Sequence, residues 1–354
     1  MSSRSGGDGL ATRYRRHARG RWVFILVSSL VLVAAVLVAA RTGAMAIRFG
    51  DVLSALLHGD RTGSGRIVWD VRMPRIVAAL LAGAGLSIAG TVMQSVLRNQ
   101  LASPYTLGLS SAAACGAAFA IVFLAAGTSA TSSIVVTNPR VVTTFAFGFS
   151  MVAAGVVLLL AKLTRVSAES MVLAGIAIGA MFAAGLTLIQ YLADSVQLAN
   201  IISWTFGDLG RAEWRVIRSV AAAVVPVWII LYALRWRLNA MDSGDEVAAA
   251  LGVNVERVRV LAMIAGSFVS AVIVASFGII AFVGLLAPHI ARRIIGGDQR
   301  LLLLAAPLVG AIVLLVADTV ARVILAPMVL PVGVLTSMLG GPLFVFLLLR
   351  RRGR

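Results

Sequence analysis

Ten apolar runs divide this chain, and they constrain its fold more than any other feature. They cover residues 22–40, 76–97, 106–127, 141–161, 171–192, 216–234, 260–276, 277–290, 301–320 and 332–349. Most are about 17–22 residues long, enough at 1.5 Å per residue to cross a hydrocarbon core about 30 Å thick. The eighth is shorter. It is re-entrant, or it runs on to Ile295 with Arg292 and Arg293 among the headgroups. Composition agrees with a bilayer as solvent: 60% of residues are hydrophobic, 13% are charged, and mean hydropathy is +0.98. That balance excludes a disordered chain or a disulfide scaffold and argues against an ordinary soluble enzyme.

The net charge of +17 invites a nucleic-acid partner, but the basic residues are scattered between apolar runs. That is the pattern of loops at a membrane surface. The first run has a basic flank and an Ala44-Met45-Ala46 sequence resembling a signal cleavage site. It is longer than the ~7–15 residues of a signal h-region, so it reads as a retained helix. With ten spans and both termini in the cytoplasm, 20 of the 31 Lys and Arg residues fall on the inside. Short basic loops favour that side, and a basic segment at each end requires an even number of spans.

Several chemistries have no residues to carry them. The one cysteine, Cys115, lies in an apolar run, and His17, His58 and His289 are far apart. Lys162, the only lysine, is not part of GxxxxGK[ST], so any ATP that drives this protein binds to another subunit. Asp318 lies near the outer end of the ninth run, with Arg322 four residues on, in reach of an intrahelical pair. Other carboxylates deep in apolar runs are lacking, which argues against ion coupling. GAGLSIAG, SSAAACGAA and LAGIAIGA supply small residues for close helix packing.

Two local features point to partners. Between the sixth and seventh runs, Ser243 and Glu246 have capping-box spacing, Asp245 adds charge to the first turn, and AAALG ends at Gly252, a favoured C′ residue. Asn254 can cap a second short turn. A capped helix in a cytoplasmic loop is either a docking element or a plain connector. At the other side, Arg72 and Arg75 share one face of the helix that Pro74 starts. Cations there oppose the helix dipole, which a carboxylate-bearing partner, or lipid phosphate, would offset.

Blocks along the chain resemble the FecCD/BtuC family, the permeases of type II ABC importers for iron-siderophore, haem and cobalamin. They are RMPR (72–75), GLSIAGTVMQSVLRNQLASPYTLGLSS (85–111), LAGIAIGA (173–180), ISWTFGDLG (202–210), DEVAAALGV (245–253), FGIIAFVGLLAPHIAR (277–292), ADTVAR (317–322) and LPVGVLTSMLGGPLF (330–344). Gln100, Ala112 and Glu169 depart from the family pattern, which has proline, glycine and small hydroxyl residues there. The resemblance implies an all-α polytopic fold of about ten transmembrane helices, paired with a second permease subunit that is identical or similar. It also implies two ATP-binding subunits that carry ATP and Mg, and an extracytoplasmic solute-binding protein. The chain itself binds no cofactor or metal.

By the same resemblance, Arg72, Arg75 and Arg322 face acidic residues of the binding protein. Ser243, Asp245, Glu246, Leu251 and Gly252 belong to the segment that couples to the ATPase. Ser167, Glu169 and Ser170 match the cytoplasmic gate, and His289 is a helix-end residue rather than a metal ligand. The expected organisation is a basic tail 1–21, one permease domain 22–350 with its coupling loop at 237–258, and a basic tail 351–354. The expected setting is the cytoplasmic membrane, with both termini inside and no nucleic acid partner. The expected role is non-catalytic import of ferric siderophores. Cobalamin or haem import is the alternative, and an ion-coupled secondary transporter the rival of another class.

Overall fold

A computed structural model describes residues 5–43, 48–59, 63–124, 138–163 and 168–351. Their regular structure is all helical. In chain order the helices are α1 (Ser5–Arg41), α2 (Phe49–His58), α3 (Ser64–Arg66), α4 (Met73–Val96), α5 (Leu109–Phe123), α6 (Pro139–Leu163), α7 (Ala168–Leu192) and α8 (Ser195–Thr205). There follow α9 (Trp214–Ala233), α10 (Arg235–Asp242), α11 (Asp245–Ala250), α12 (Val255–Phe277), α13 (Val283–Ile295), α14 (Gln299–Ala321) and α15 (Val332–Arg351). A π-helical turn, Ile67–Arg72, leads straight into α4. Helices are the expected solution for segments in hydrocarbon, because each satisfies its own backbone polar groups.

Every one of the ten apolar runs carries a helix, in agreement with the expected all-α polytopic fold. Among the described residues, seven helices are long and apolar enough to cross a membrane: α1 from Gly20, Ile67–Val96, α6, α7, α9, α12 and α14. Apolar α5 is shorter, with 15 residues. The eighth run does continue to Ile295, but α13 has only 13 residues, about 20 Å of rise. It starts at Val283 because the chain leaves α12 at Gly278 (φ 79°) and re-enters helix at Phe282 (φ 65°). The described part of the basic 1–21 segment is continuous with the first span, since α1 is unbroken from Ser5.

The core lies around α4, which is buried along most of its length. It runs antiparallel to α14, and a Cβ on Gly83 would overlap the Gly310 carbonyl. The two backbones touch there, as small residues in membrane helices allow. Ser87 Oγ donates to the Ala306 carbonyl at 2.7 Å in the same register. By contrast α1 and α7 leave large apolar side chains such as Leu26, Leu30, Ile176 and Leu188 exposed.

Candidate functional site

At one end of the bundle, the start of α4, the end of α14 and the end of α1 meet around Asp318. Its carboxylate has no exposed surface. Arg75 Nε donates to both of its oxygens, at 2.9 and 3.1 Å, and Arg322 Nε lies 3.2 Å away, the intrahelical pair anticipated from the sequence. The Arg75 guanidinium also reaches Asp208 at 3.5 Å. Beside it, burial lowers the pKa of Arg211 and Asp208 raises it, and Arg211 donates to the Ser203 carbonyl at 2.9 Å.

Arg322 and Arg72 then turn to the last carbonyls of α1. Arg322 donates to Thr42 O at 3.0 Å and to Ala39 O at 3.4 Å. Arg72 donates to Arg41 O at 2.8 Å and to Ala40 O. A helix leaves its final carbonyls without intrahelical donors and carries partial negative charge there. The two arginines answer both demands.

Arg72, Arg75 and Arg322 are thus brought together, but not as exposed rim charges. Arg72 is 5% exposed and Arg322 8%, and the Arg75 side chain is 13% exposed. The dipole argument is also corrected. Because the π-helical turn precedes Met73, both Arg72 and Arg75 lie inside a helical stretch rather than at its free start. Arg75 is offset by the chain's own Asp318, and Arg72 by the carbonyl end of α1.

At the opposite end, α10 and α11 form a compact elbow. The capping box is corrected: α11 starts at Asp245 with Gly244 (φ 122°) as N-cap and no side-chain cap bond, while Ser243 ends α10. Gly252 is left-handed, at φ 78°. Gly252 N bonds to Ala249 O and Val253 N to Ala248 O, each at 2.9 Å, which is the Schellman arrangement. Asn254 caps the long α12 instead of a short turn, accepting from Arg257 N at 2.9 Å. Glu246 is exposed, and Val247 and Leu251 present apolar side chains 48% and 68% exposed. Apolar exposure on a short polar connector is what a protein-docking face requires.

Sequence reasoning missed what holds this elbow. Arg259, 4% exposed, donates through Nη2 to both Asp245 oxygens at 2.9 and 2.8 Å and through Nε to the Val96 carbonyl at 3.0 Å. Asp242 accepts from Ser95 and from Gln299. The available signal was Arg259 in the stretch VERVRVLAM, two residues beyond Arg257 and just before the apolar run. Of the gate residues, Glu169 is exposed in the first turn of α7, Ser170 is half-buried beside it, and Ser167 lies outside the described residues. His289 lies in α13, within two turns of its C-terminal end.

Residues 30–350 match the FecCD transport family. The chain is similar to the ABC transporter permease protein MJ0087 of Methanocaldococcus jannaschii, 44% identical over 96% of this chain and 97% of that one. It is also similar to the hemin transport system permease protein HmuU of Yersinia pestis, 34% identical over 93% of this chain and 95% of that protein. A solved ABC transporter of metal-chelate type, in an inward-facing conformation, aligns with a TM-score of 0.79 and 29% identity. It covers 93% of this chain and 99% of its own.

Proposed function

The chain belongs to the FecCD transport family, and from that premise we propose that it imports ferric-siderophore complexes across the cytoplasmic membrane. It is an integral membrane protein, the permease of a type II ABC importer for haem, an iron chelate or vitamin B12. Relatives named for Fe(3+)-citrate, iron chelatin and iron(3+)-hydroxamate import favour the ferric chelate. Cobalamin or haem is the second reading, favoured by the relatives named for those cargoes.

The observation that carries the energy source is α11, a capped helix with Val247 and Leu251 exposed, which suits docking in a cleft of an ATP-binding subunit. Two such subunits hold ATP and Mg, and this chain binds no cofactor and does no chemistry on its cargo. The exposed apolar side chains of α7, among them Leu173, Ile176 and Leu188, support a second permease subunit, identical or similar. A solute-binding protein seats at the Asp318 end, where Arg75 is the least buried of the three arginines. Both termini then lie in the cytoplasm. Ion coupling is disfavoured because Asp318, the only fully buried carboxylate among the described residues, is tied into ion pairs with Arg75 and Arg322, and a row of such groups along a path is lacking among those residues.

The test is reconstitution in proteoliposomes. The purified chain alone should hydrolyse no ATP. Together with its ATPase and binding protein it should take up a radiolabelled ferric hydroxamate in an ATP-dependent way, in preference to haem and cobalamin. ATP turnover by the isolated chain, or uptake without the ATPase, would overturn the class. Preference for cobalamin or haem would overturn the cargo.

A further inference from the structure

Docking on α11 moves the transport helices only if the elbow is fastened to them. The fastening is at Asp242, the last residue of α10. Its Oδ1 accepts from Ser95 Oγ on α4 at 2.7 Å, and its Oδ2 accepts from Gln299 Nε2 on α14 at 2.7 Å. Both donors are fully buried, while Asp242 is half-buried at the elbow. One carboxylate therefore bridges two helices whose backbones already touch at Gly83 and Gly310.

Neighbours reinforce it. Asn239, three residues earlier, accepts from Gln299 N at 2.7 Å and donates to Asp298 at 3.0 Å. At their other ends α4 and α14 are joined again by Arg75 and Asp318 at 2.9 Å. The pair is pinned at both ends and in backbone contact between them, which makes it a rigid strut running from one end of the bundle to the other.

We propose that Asp242 is the positioning residue that couples a docked ATPase to the α4–α14 strut, so that displacement of α11 moves both helices as one body. The inference rests on the ABC-permease reading. Hydrogen bonds to an ionised carboxylate are short and strong, suited to transmitting load. Asp245 and Arg259 tie the elbow to α4 at the Val96 carbonyl, the last residue of that helix. Asp242 bonds inward, away from the exposed Glu246, Val247 and Leu251, so its removal leaves the docking face in place.

The experiment uses the full assembly in proteoliposomes. It measures ATP hydrolysis together with uptake of whichever of ferric hydroxamate, haem and cobalamin the wild type carries. Asp242→Ala should retain the ATPase and hydrolyse ATP, while uptake per ATP falls at least about fivefold, the lower edge of usual coupling between sites. Asp242→Asn should recover most of that ratio, because its amide can accept from Gln299 and donate to the Ser95 hydroxyl. An unchanged ratio in Asp242→Ala overturns the proposal. So does an equal loss of hydrolysis and uptake, the mark of a merely structural residue, or an Asn variant no better than Ala. Wild-type uptake that needs no ATP would instead sink the permease reading itself, an outcome distinct from an unchanged ratio in the variant.

Discussion

Replacing Asp318 with alanine should destabilise this protein more than removal of any exposed ion pair. The carboxylate is fully buried and answers Arg75 at 2.9 Å and Arg322 at 3.2 Å. Without it, two poorly solvated guanidiniums face each other, and the nearest remaining anion is Asp208, 3.5 Å from Arg75 and 38% exposed. Removing one partner of a buried ion pair costs about 3–5 kcal/mol, because the charge left behind is uncompensated. Against a net stability of about 5–15 kcal/mol, that is a large fraction.

The assay is reversible unfolding in mixed detergent micelles titrated with dodecyl sulfate and followed by tryptophan fluorescence. Arg66→Ala is the control. Its partner Asp70 is 3.5 Å away and both side chains are well exposed, 78% and 46%. Surface pairs of that kind contribute about 0–1 kcal/mol. A combined Arg75→Met, Asp318→Leu, Arg322→Met variant should recover part of the loss, since it removes all three buried charges and leaves only the α1 carbonyls and the partly exposed Asp208 short of partners. If Asp318→Ala shifts the midpoint no further than Arg66→Ala, the buried network does not hold this end together and the reasoning fails.

Two further outcomes follow from single glycines. Gly252→Val forces a β-branched residue into φ 78°, where open space around the Cβ leaves backbone strain of about 1–2 kcal/mol as the only penalty. It should weaken co-purification of the ATPase with membrane insertion intact, and undiminished pull-down would refute the docking role. Gly83→Val would drive a side chain into the Gly310 carbonyl and part α4 from α14. Overpacking of that kind costs about 1–3 kcal/mol or more, so its unfolding midpoint should fall while that of Gly148→Val, with open space at the Cβ, falls less.

Much of the architecture was legible from local pattern. The apolar runs located the helices, Gly252 marked the end of α11, Asn254 was legible as a cap though of the long α12 rather than a short turn, and Arg322 met Asp318 at i,i+4. Each is a relation within a few residues, set by helix geometry alone. Other local signals were present but unread. Asp194 and Gln197 form a true capping box at the start of α8, with the helix amides 2.8 Å from the Asp194 carboxylate. Ser243 and Glu246 have the same spacing and do not form one, because Gly244 intervenes as the cap and releases Ser243 to end α10.

Tertiary structure decided which groups the polar side chains answer. In the sequence, Arg72 and Arg75 have no carboxylate at helical spacing on their own helix, which pointed to an outside partner. In the fold Arg75 finds Asp318, 243 residues away, and Arg72 finds the carbonyl end of α1. Asp242 likewise joins Ser95 and Gln299, which are 147 and 57 residues distant. Sequence spacing carries no record of these meetings. They depend on which helices pack together and in what register, and that register is set where Gly83 and Gly310 let two backbones touch. Once α4 and α14 are in contact there, their ends bring the charges within bonding distance, and burial in a low-dielectric interior makes pairing obligatory.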